Sequence, residues 1–104
     1  MSGKKSRSKG YRREREIVLR LREAGLDAQR VPLSGAARGG FSGDVVTTDS
    51  AGRKWTLEVK ARADGWRGLR AWLQENDALV LVADRAEPLI LTTFGRWLSD
   101  RQAK

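Results

Sequence analysis

The hydrophobic positions of this chain recur with two periods, and each period predicts a different kind of element. From Tyr11 to Ala24 the apolar residues Ile17, Val18 and Leu21 recur at helical spacing. Gly25 follows directly, and a glycine at that point is typical of a left-handed helix cap. The pattern therefore predicts an amphipathic helix over residues 11–24.

One acidic residue, Glu14, interrupts the apolar stripe of this helix. It precedes Ile17, Val18 and Leu21 by three, four and seven residues, so it lies on the same face. Charged side chains are rarely buried without a partner. Glu14 therefore either ends the stripe with its carboxylate in water or points into a polar site beside the sheet.

Residues 44–61 change to a period of two, which predicts two strands at Asp44–Thr48 and Lys54–Ala61. The turn between them, Asp49–Arg53, contains the Asp, Ser and Gly that suit tight backbone geometry. If the strands pair, Asp44 can approach Glu58.

Alternation along the second strand separates its apolar side chains from its polar ones. One face carries Trp55, Leu57 and Val59, and the other carries Thr56, Glu58 and Lys60. The pattern thus predicts a carboxylate and an ammonium side by side on the polar face.

The rest of the chain contains further strand and helix patterns. A short strand is predicted at Asp27–Leu33, a buried strand at Ala78–Ala83, another at Leu89–Thr93, and a terminal helix at Phe94–Asp100. A helical stripe between them is predicted to be core, with a subunit interface as the alternative: Trp66, Leu69, Trp72 and Leu73. We predict an α/β single domain with a mixed central β-sheet flanked by helices.

Composition restricts the chemistry. The 104 residues include 21 Lys or Arg and 13 Asp or Glu, a net charge of +8 that favours nucleic acid as partner. The absence of Cys and His excludes disulfides, zinc fingers and histidine bases. Neither a membrane-spanning run nor a signal-peptide core is present, so we expect a cytoplasmic protein that binds no membrane.

Two segments carry basic residues without a clear hydrophobic pattern. Residues 1–10 are predicted to be a flexible basic arm, and residues 11–104 are predicted to form the folded domain. In the arm, Lys4, Lys5 and Lys9 could bind phosphates. A solvated tail is the alternative. Residues 34–43 include four glycines and Arg38, and are predicted to be either a loop that closes on a substrate or a connector.

Asp44, Glu58 and Lys60 together can be explained in two ways. Two carboxylates about 4 Å apart repel by roughly 4 kcal/mol at an effective dielectric near 20, and Mg²⁺ or Mn²⁺ would remove that penalty. Lys60 would then stabilise charge on a phosphate. The alternative is an exposed ion pair between Glu58 and Lys60.

Four motifs in one order resemble the archaeal-type Holliday junction resolvases: KGYRREREIV at Lys9–Val18, QRVPLSG at Gln29–Gly35, GD at Gly43 and Asp44, and LEVKAR at Leu57–Arg62. The resemblance implies a restriction-endonuclease-like fold and a homodimeric, metal-dependent endonuclease. Such an enzyme cuts two strands of a four-way DNA junction symmetrically.

The same resemblance assigns roles to individual residues. Asp44 and Glu58 would hold Mg²⁺, with Mn²⁺ as a substitute, Glu14 would reach the metal directly or through water, and Lys60 would assist the attacking water. Arg15 and Arg30 would face DNA, and Ser34 lies in the loop that flanks the site. The other candidates for DNA binding are predicted from their positive charge and not from the resemblance: Lys4, Lys5, Lys9, Arg38 and Arg62.

Three functions remain open at this point. The leading hypothesis is junction resolution in the cytoplasm of a bacterial, archaeal or phage-infected cell. The first alternative is another nuclease of the same fold that cuts flaps, nicks or duplex DNA. The second is a non-catalytic basic DNA-binding protein whose acids and lysine form ordinary ion pairs.

Overall fold

The computed structural model describes the backbone of residues 2–31 and 45–102, and the side chains of residues 12–31 and 45–102. The helices and strands in these ranges are α1 Ser2–Glu23, β1 Asp27–Arg30, β2 Val45–Thr48, β3 Lys54–Leu57, α2 Arg67–Leu73, β4 Leu79–Leu81, β5 Leu89–Leu91 and α3 Phe94–Arg101. The α/β class is as predicted, and these elements follow in the predicted order.

The chain divides into two compact units, the first made of residues 1–61 and 101–104 and the second of Arg62–Asp100. The first contains an antiparallel sheet with the order β1-β2-β3, and the second contains the antiparallel pair β4-β5. The predicted single mixed sheet is therefore wrong for the described ranges. A period of two identifies the faces of a strand but not the strand that pairs with it.

Helix α1 starts earlier than the hydrophobic pattern predicts, at Ser2 instead of Tyr11. The backbone of residues 2–10 is helical, and the flexibility expected of residues 1–10 stays a prediction. No Pro interrupts this segment, and Lys and Arg are good helix formers, so the helix can extend beyond its apolar stripe. DNA binding by Lys4, Lys5 and Lys9 stays a prediction.

The end of α1 is as predicted. Gly25 has a φ of +91°, and its N–H donates to the carbonyl of Arg22 at 2.9 Å. The N–H of Leu26 donates to the carbonyl of Leu21 at 3.0 Å. These two bonds define a Schellman cap, which turns the chain into β1.

The core of the first unit lies between α1 and one face of the sheet. Val18 and Leu21 of α1 are buried, as are Leu26, Ala28 of β1 and Val45 of β2. Thr47 is also buried, and its hydroxyl donates to the carbonyl of Asp27. This packing holds α1 against the strands that carry the candidate site.

The turn between β2 and β3 is organised by one carboxylate. Asp49 accepts hydrogen bonds from the N–H groups of Ala51 and Arg53 and from Nε1 of Trp55, at 3.0, 2.9 and 2.9 Å. Two guanidinium groups lie near the Trp55 ring, with Cζ of Arg53 at 4.3 Å and Cζ of Arg101 at 4.8 Å from its centroid. Both arginines make cation–π contacts with this ring.

In the second unit, three residues that the sequence predicted to be buried are exposed. Leu73 is buried, but Trp72 of the same predicted stripe is 66% exposed. Val80 and Val82, predicted to lie in a strand buried on both faces, are 57% and 79% exposed. Among the strands that the structure describes, β4 pairs only with β5, so this sheet is too small to bury both of its faces.

Candidate functional site

The candidate site lies at one end of the first sheet, where three strand ends meet. Val45, the first residue of β2, is the register partner of Arg30 in β1 and of Leu57 in β3. Glu58 directly follows Leu57, and Asp44 directly precedes Val45 in the sequence. Asp44 itself lies outside the described residues, as do Ser34 and Arg38.

Strand β3 ends at Leu57, but the alternation of its side chains continues to Lys60. Trp55, Leu57 and Val59 are half-buried, whereas Thr56, Glu58 and Lys60 are exposed. The predicted separation of apolar and polar faces is therefore confirmed.

Glu58 and Lys60 form an ion pair on the polar side. Nζ of Lys60 lies 3.0 Å from Oε2 of Glu58, and the two side chains are 71% and 39% exposed. An ion pair this exposed contributes at most about 1 kcal/mol to stability. Stability alone therefore gives little reason for these two residues at this position.

Glu14 points towards the sheet rather than into water. Its Oε1 accepts a hydrogen bond from Nε of Arg30 at 2.8 Å, and only 15% of its side chain is exposed. The sequence predicted the position of Glu14 on the apolar stripe and a polar site beside the sheet as one of two outcomes. It did not predict the partner, because the two residues are sixteen positions apart.

The pairing of Glu14 with Arg30 brings α1 to the same end of the sheet. Arg30 lies opposite Val45, so the carboxylate of Glu14 is held near the start of β2. Arg30 was predicted to face DNA, and its side chain is 26% exposed. One part of the guanidinium group thus contacts Glu14 while the side chain still reaches the surface.

The remaining predicted DNA-binding residues in the described ranges are exposed. Arg15 lies on the solvent side of α1. Arg62 lies 3.6 Å from Oδ1 of Asp64, with its Cζ 5.1 Å from the centroid of the Trp66 ring. These positions are accessible to a phosphate backbone.

No group of three or more acidic or histidine side chains occurs in the part of the chain that the structure describes. Two of the three predicted metal ligands, Glu14 and Glu58, lie in that part, and the third, Asp44, does not. All three are carboxylates in a chain without Cys or His, and hard oxygen ligands fit Mg²⁺ or Mn²⁺. The donor chemistry therefore fits the predicted metal.

An open groove of about 760 Å³ lies elsewhere on the first unit. It is lined by Asp27, Thr48 and Lys54, which occupy the end of the sheet away from Glu58. Its shape offers a concave surface but no cluster of carboxylates. The candidate chemistry is thus at a strand end and not in this groove.

Positive charge is distributed unevenly along the chain, a feature that the overall composition conceals. Residues 1–61 contain 14 Lys or Arg and seven Asp or Glu, a net charge of +7. Residues 62–100 contain five Lys or Arg and six Asp or Glu, a net charge of −1. The attraction for a polyanion therefore resides in the segment that carries the candidate site.

A comparison with protein families agrees with this chemistry. The archaeal Holliday junction resolvase family (Hjc) matches residues 5–97. Since the match covers most of the chain, this protein belongs to that family of nucleases. Its fold class is accordingly restriction-endonuclease-like α/β, and the family acts on DNA junctions in recombination and repair.

The family match confirms the resemblance found in the sequence and extends it. The quoted motifs end at Arg62, whereas the match continues to Trp97 and so includes most of the second unit. Neither curated proteins nor solved structures gave a match to this chain. None of the described helices is long and apolar enough to cross a membrane.

Proposed function

We propose that this protein is a Holliday junction resolvase that cuts four-way DNA junctions by metal-dependent hydrolysis of phosphodiester bonds. Asp44, Glu58 and Glu14 would hold one or two Mg²⁺ ions, which Mn²⁺ can replace, and Lys60 would act beside them. The observation that carries this proposal is the strand register: Val45 and Leu57, the neighbours of Asp44 and Glu58, face each other.

The metal accounts for acids at adjoining strand ends. Without a cation, carboxylates about 4 Å apart repel by roughly 4 kcal/mol at an effective dielectric near 20. Asp44, Glu58 and Glu14 would hold Mg²⁺, which would remove this repulsion, polarise the phosphate and lower the pKa of a bound water.

Lys60 is suited to stabilise the charge that develops on the phosphoryl oxygens. Its Nζ lies 3.0 Å from Glu58, so its ammonium group can reach a phosphate that is bound beside that carboxylate. With 71% of the Lys60 side chain exposed, an incoming DNA strand can approach it without displacing protein.

Glu14 and Arg30 would support the site from the side of α1. The hydrogen bond from Nε of Arg30 to Oε1 of Glu14 would orient this carboxylate, which would hold the metal directly or through a water. The same bond limits the movement of the guanidinium group, which can then meet a DNA phosphate at a defined position.

Junction binding would depend on the net charge of +7 in residues 1–61. Contacts from Arg15, Arg30, Ser34, Arg38 and Arg62, and from Lys4, Lys5 and Lys9, would neutralise phosphates and release counterions. Contacts to phosphates do not distinguish one base from another, so the protein would recognise a branched junction by its shape. A DNA-acting family supports the cytoplasmic location, which stays a prediction.

The exposed pair of Glu58 and Lys60 is also compatible with a second function, non-catalytic DNA binding. The two functions differ in metal affinity. A calorimetric titration with Mn²⁺ should reveal a site in the wild-type protein that is lost in Glu58→Ala and Asp44→Asn. If no heat of Mn²⁺ binding depends on these carboxylates, the result favours a non-catalytic DNA-binding protein.

The direct test of the proposed function compares three substrates in Mg²⁺: an immobile four-way junction, a matched linear duplex and a flap. We expect paired cuts in opposing arms of the junction and little cleavage of the duplex. If the duplex or the flap is cut as fast as the junction, the protein is a nuclease but is not specific for junctions.

Two lysines on the polar side of β3 provide a matched comparison in this assay. Lys60→Ala should slow junction cleavage by about 100-fold or more, because one positioned donor commonly contributes that much. Lys54→Ala removes an exposed lysine six residues earlier on the same side and should change the rate by less than about threefold. Equal effects of the two substitutions would remove Lys60 from the site.

A further inference from the structure

The turn between β2 and β3 is connected to one particular residue of β3. The N–H of Asp49 donates to the carbonyl of Arg53 at 2.9 Å, and the N–H of Arg53 donates back to Oδ1 of Asp49 at 2.9 Å. The other carboxylate oxygen, Oδ2, accepts a hydrogen bond from Nε1 of Trp55 at 2.9 Å. One carboxylate, directly after the end of β2, therefore fixes both the turn and the second residue of β3.

Further contacts hold the Trp55 ring and the turn in place. The ring is half-buried and makes cation–π contacts with Arg53 and Arg101. The N–H of Ser50 in the turn donates to the carbonyl of Arg101 at 3.0 Å, and Arg101 belongs to the first unit. The hydrogen-bonded pair of Asp49 and Trp55, which we call the turn clamp, thus lies in a well-connected part of that unit.

Side-chain alternation restricts the register of β3 but does not determine it. A shift of β3 by one residue would move the half-buried Trp55 and Leu57 to the polar side, which their burial opposes. A shift by two residues returns every side chain to its own side. It would shorten the turn from five residues to about three, which is also a common hairpin length.

Few other interactions oppose a shift by two residues. Strands β2 and β3 are each four residues long, so the ladder between them is short. The hydrogen bond of the turn clamp is specific to one residue of β3, and a shift by two residues would move the indole N–H about 6.6 Å along the strand and break it. The turn clamp therefore distinguishes two registers that the hydrophobic pattern does not.

The register matters most at the other end of the hairpin, where the candidate site lies. Val45 faces Leu57 there, and Glu58 directly follows Leu57. A shift of about 6.6 Å would carry Glu58 and Lys60 away from the start of β2. Oxygen ligands of Mg²⁺ lie about 2.1 Å from the ion in a strict geometry, so carboxylates from two strands can share an ion in one register only.

We propose that Asp49 and Trp55 are positioning residues of the candidate site, because their hydrogen bond selects the register of β3 that places Glu58 and Lys60 beside the start of β2. This inference rests on the proposed function and deepens it. The turn clamp would touch neither metal nor DNA. It would act through the backbone of β3, since Trp55 precedes Glu58 by three residues, or about 10 Å of strand.

Calorimetric titration with Mn²⁺ measures the effect of the turn clamp on the site. Trp55→Phe keeps an aromatic ring beside the two arginines and removes the indole N–H. It should weaken Mn²⁺ binding by about tenfold or more, as is common when a residue that holds a metal ligand in place is lost. Asp49→Ala should weaken it at least as much. Circular dichroism checks that each variant is folded at the temperature of the titration.

Asp64 provides the matched control for this titration. Its Oδ1 accepts a hydrogen bond from the N–H of Trp66 at 3.0 Å, so it also stabilises a turn, but in the second unit. Asp64→Ala should leave the dissociation constant of Mn²⁺ within about threefold of wild type. A general loss of turn stability would affect all three variants alike, whereas a change of register affects only the two in the turn clamp.

Disulfide formation measures the register without metal or DNA. The chain contains no Cys, so a pair of introduced cysteines can form one intramolecular bond. Val46 and Thr56 are register partners, at a separation that a disulfide can bridge, whereas Val46 and Lys54 become partners only after the shift by two residues. In a glutathione buffer, Val46→Cys with Thr56→Cys should be oxidised at least about tenfold more than Val46→Cys with Lys54→Cys. Adding Trp55→Phe should reduce this preference to less than about threefold.

The outcomes separate this inference from the proposed function. An unchanged disulfide preference in Trp55→Phe would overturn the proposal. So would wild-type Mn²⁺ affinity in both Trp55→Phe and Asp49→Ala, provided that Glu58→Ala abolishes binding. If the wild-type protein itself shows no carboxylate-dependent Mn²⁺ binding, the proposed function fails, and the disulfide preference alone then decides whether the turn clamp selects the register.

Discussion

Glu14 connects helix α1 to the sheet through Arg30. The 2.8 Å bond between them is partly buried, so its loss should have a larger effect than the loss of an exposed ion pair. The neighbouring pair of Arg13 and Glu16, at 3.2 Å, is exposed and provides the comparison within the same helix.

Glu14→Ala should reduce the free energy of unfolding by about 1–2 kcal/mol, because it removes a partly buried hydrogen-bond acceptor. Glu14→Gln keeps an oxygen that can accept from Arg30 and should cost less than about 1 kcal/mol. Glu16→Ala should remain within about 0.5 kcal/mol of wild type. Urea unfolding measures all three.

The same variants separate structure from chemistry at this residue. If Glu14 helps to hold the metal, Glu14→Gln should slow junction cleavage by about tenfold or more while keeping most of its stability. Wild-type cleavage by Glu14→Gln would exclude Glu14 from the metal site. Equal stability of Glu14→Ala and Glu16→Ala would contradict the contribution of the pair to stability.

Asp49 is a carboxylate that accepts three hydrogen bonds at the turn between β2 and β3. The hydrogen bond from Trp55 Nε1, followed by that from the N–H of Arg53, lowers the pKa of Asp49 below its ordinary value of 3.8. A carboxyl group with a lowered pKa in the folded state stabilises the fold above its unfolded pKa. That stabilisation is lost as pH falls through the lower folded value.

We therefore expect the midpoint of thermal unfolding to decrease for wild type as pH falls below about 4, partly because Asp49 becomes protonated. Asp49→Asn should be less stable at neutral pH and should show a shallower decrease in this range. Parallel curves for the two proteins between pH 5 and pH 2 would contradict this role of Asp49. Tryptophan fluorescence follows the transition.

At the scale of the element, local sequence signals predicted the structure well. The cap at Gly25 and the alternation from Trp55 to Lys60 depend on neighbours in the chain, and both are present. Sequence reasoning failed where distant partners decide the outcome. Three features depend on which surfaces pack together: the bond between Glu14 and Arg30, the separation into two sheets and the exposure of Val80. Neither the hydrophobic period nor the composition of the chain determines that packing.

The cap at Gly25 offers a test of how α1 is positioned. Gly25 has a positive φ, so Gly25→Ala should destabilise the protein by about 1–2 kcal/mol. Gly68 lies inside α2 with open space at its Cβ position, so Gly68→Ala should instead stabilise by about 0.5–1 kcal/mol. Opposite signs in urea unfolding are the expected result. A neutral Gly25→Ala would contradict the left-handed cap.

At the scale of the molecule, the chain separates a basic segment from a nearly neutral one. The net charges of +7 and −1 assign the attraction for DNA to residues 1–61. The overall charge of +8 predicted a polyanionic partner, but only the division into two units indicates which part of the surface meets it.

This division predicts the salt dependence of junction binding. The dissociation constant should rise steeply with salt, and Arg15→Ala should reduce the slope of log K against log salt by about one, as expected for one phosphate contact. Arg85→Ala, which removes an exposed arginine from the second unit, should leave the slope unchanged. Equal slopes for Arg15→Ala and wild type would exclude Arg15 from the DNA contact.

The most direct test of junction resolution uses a supercoiled plasmid with an extruded cruciform, incubated with the protein and Mg²⁺. Symmetric cuts across the junction convert the plasmid to the linear form, whereas a single cut gives a nicked circle. We predict linear product from wild type, and a rate at least about 100-fold lower for Asp44→Asn. Wild-type activity in Asp44→Asn, or equal cutting of a plasmid without the cruciform, would contradict the account.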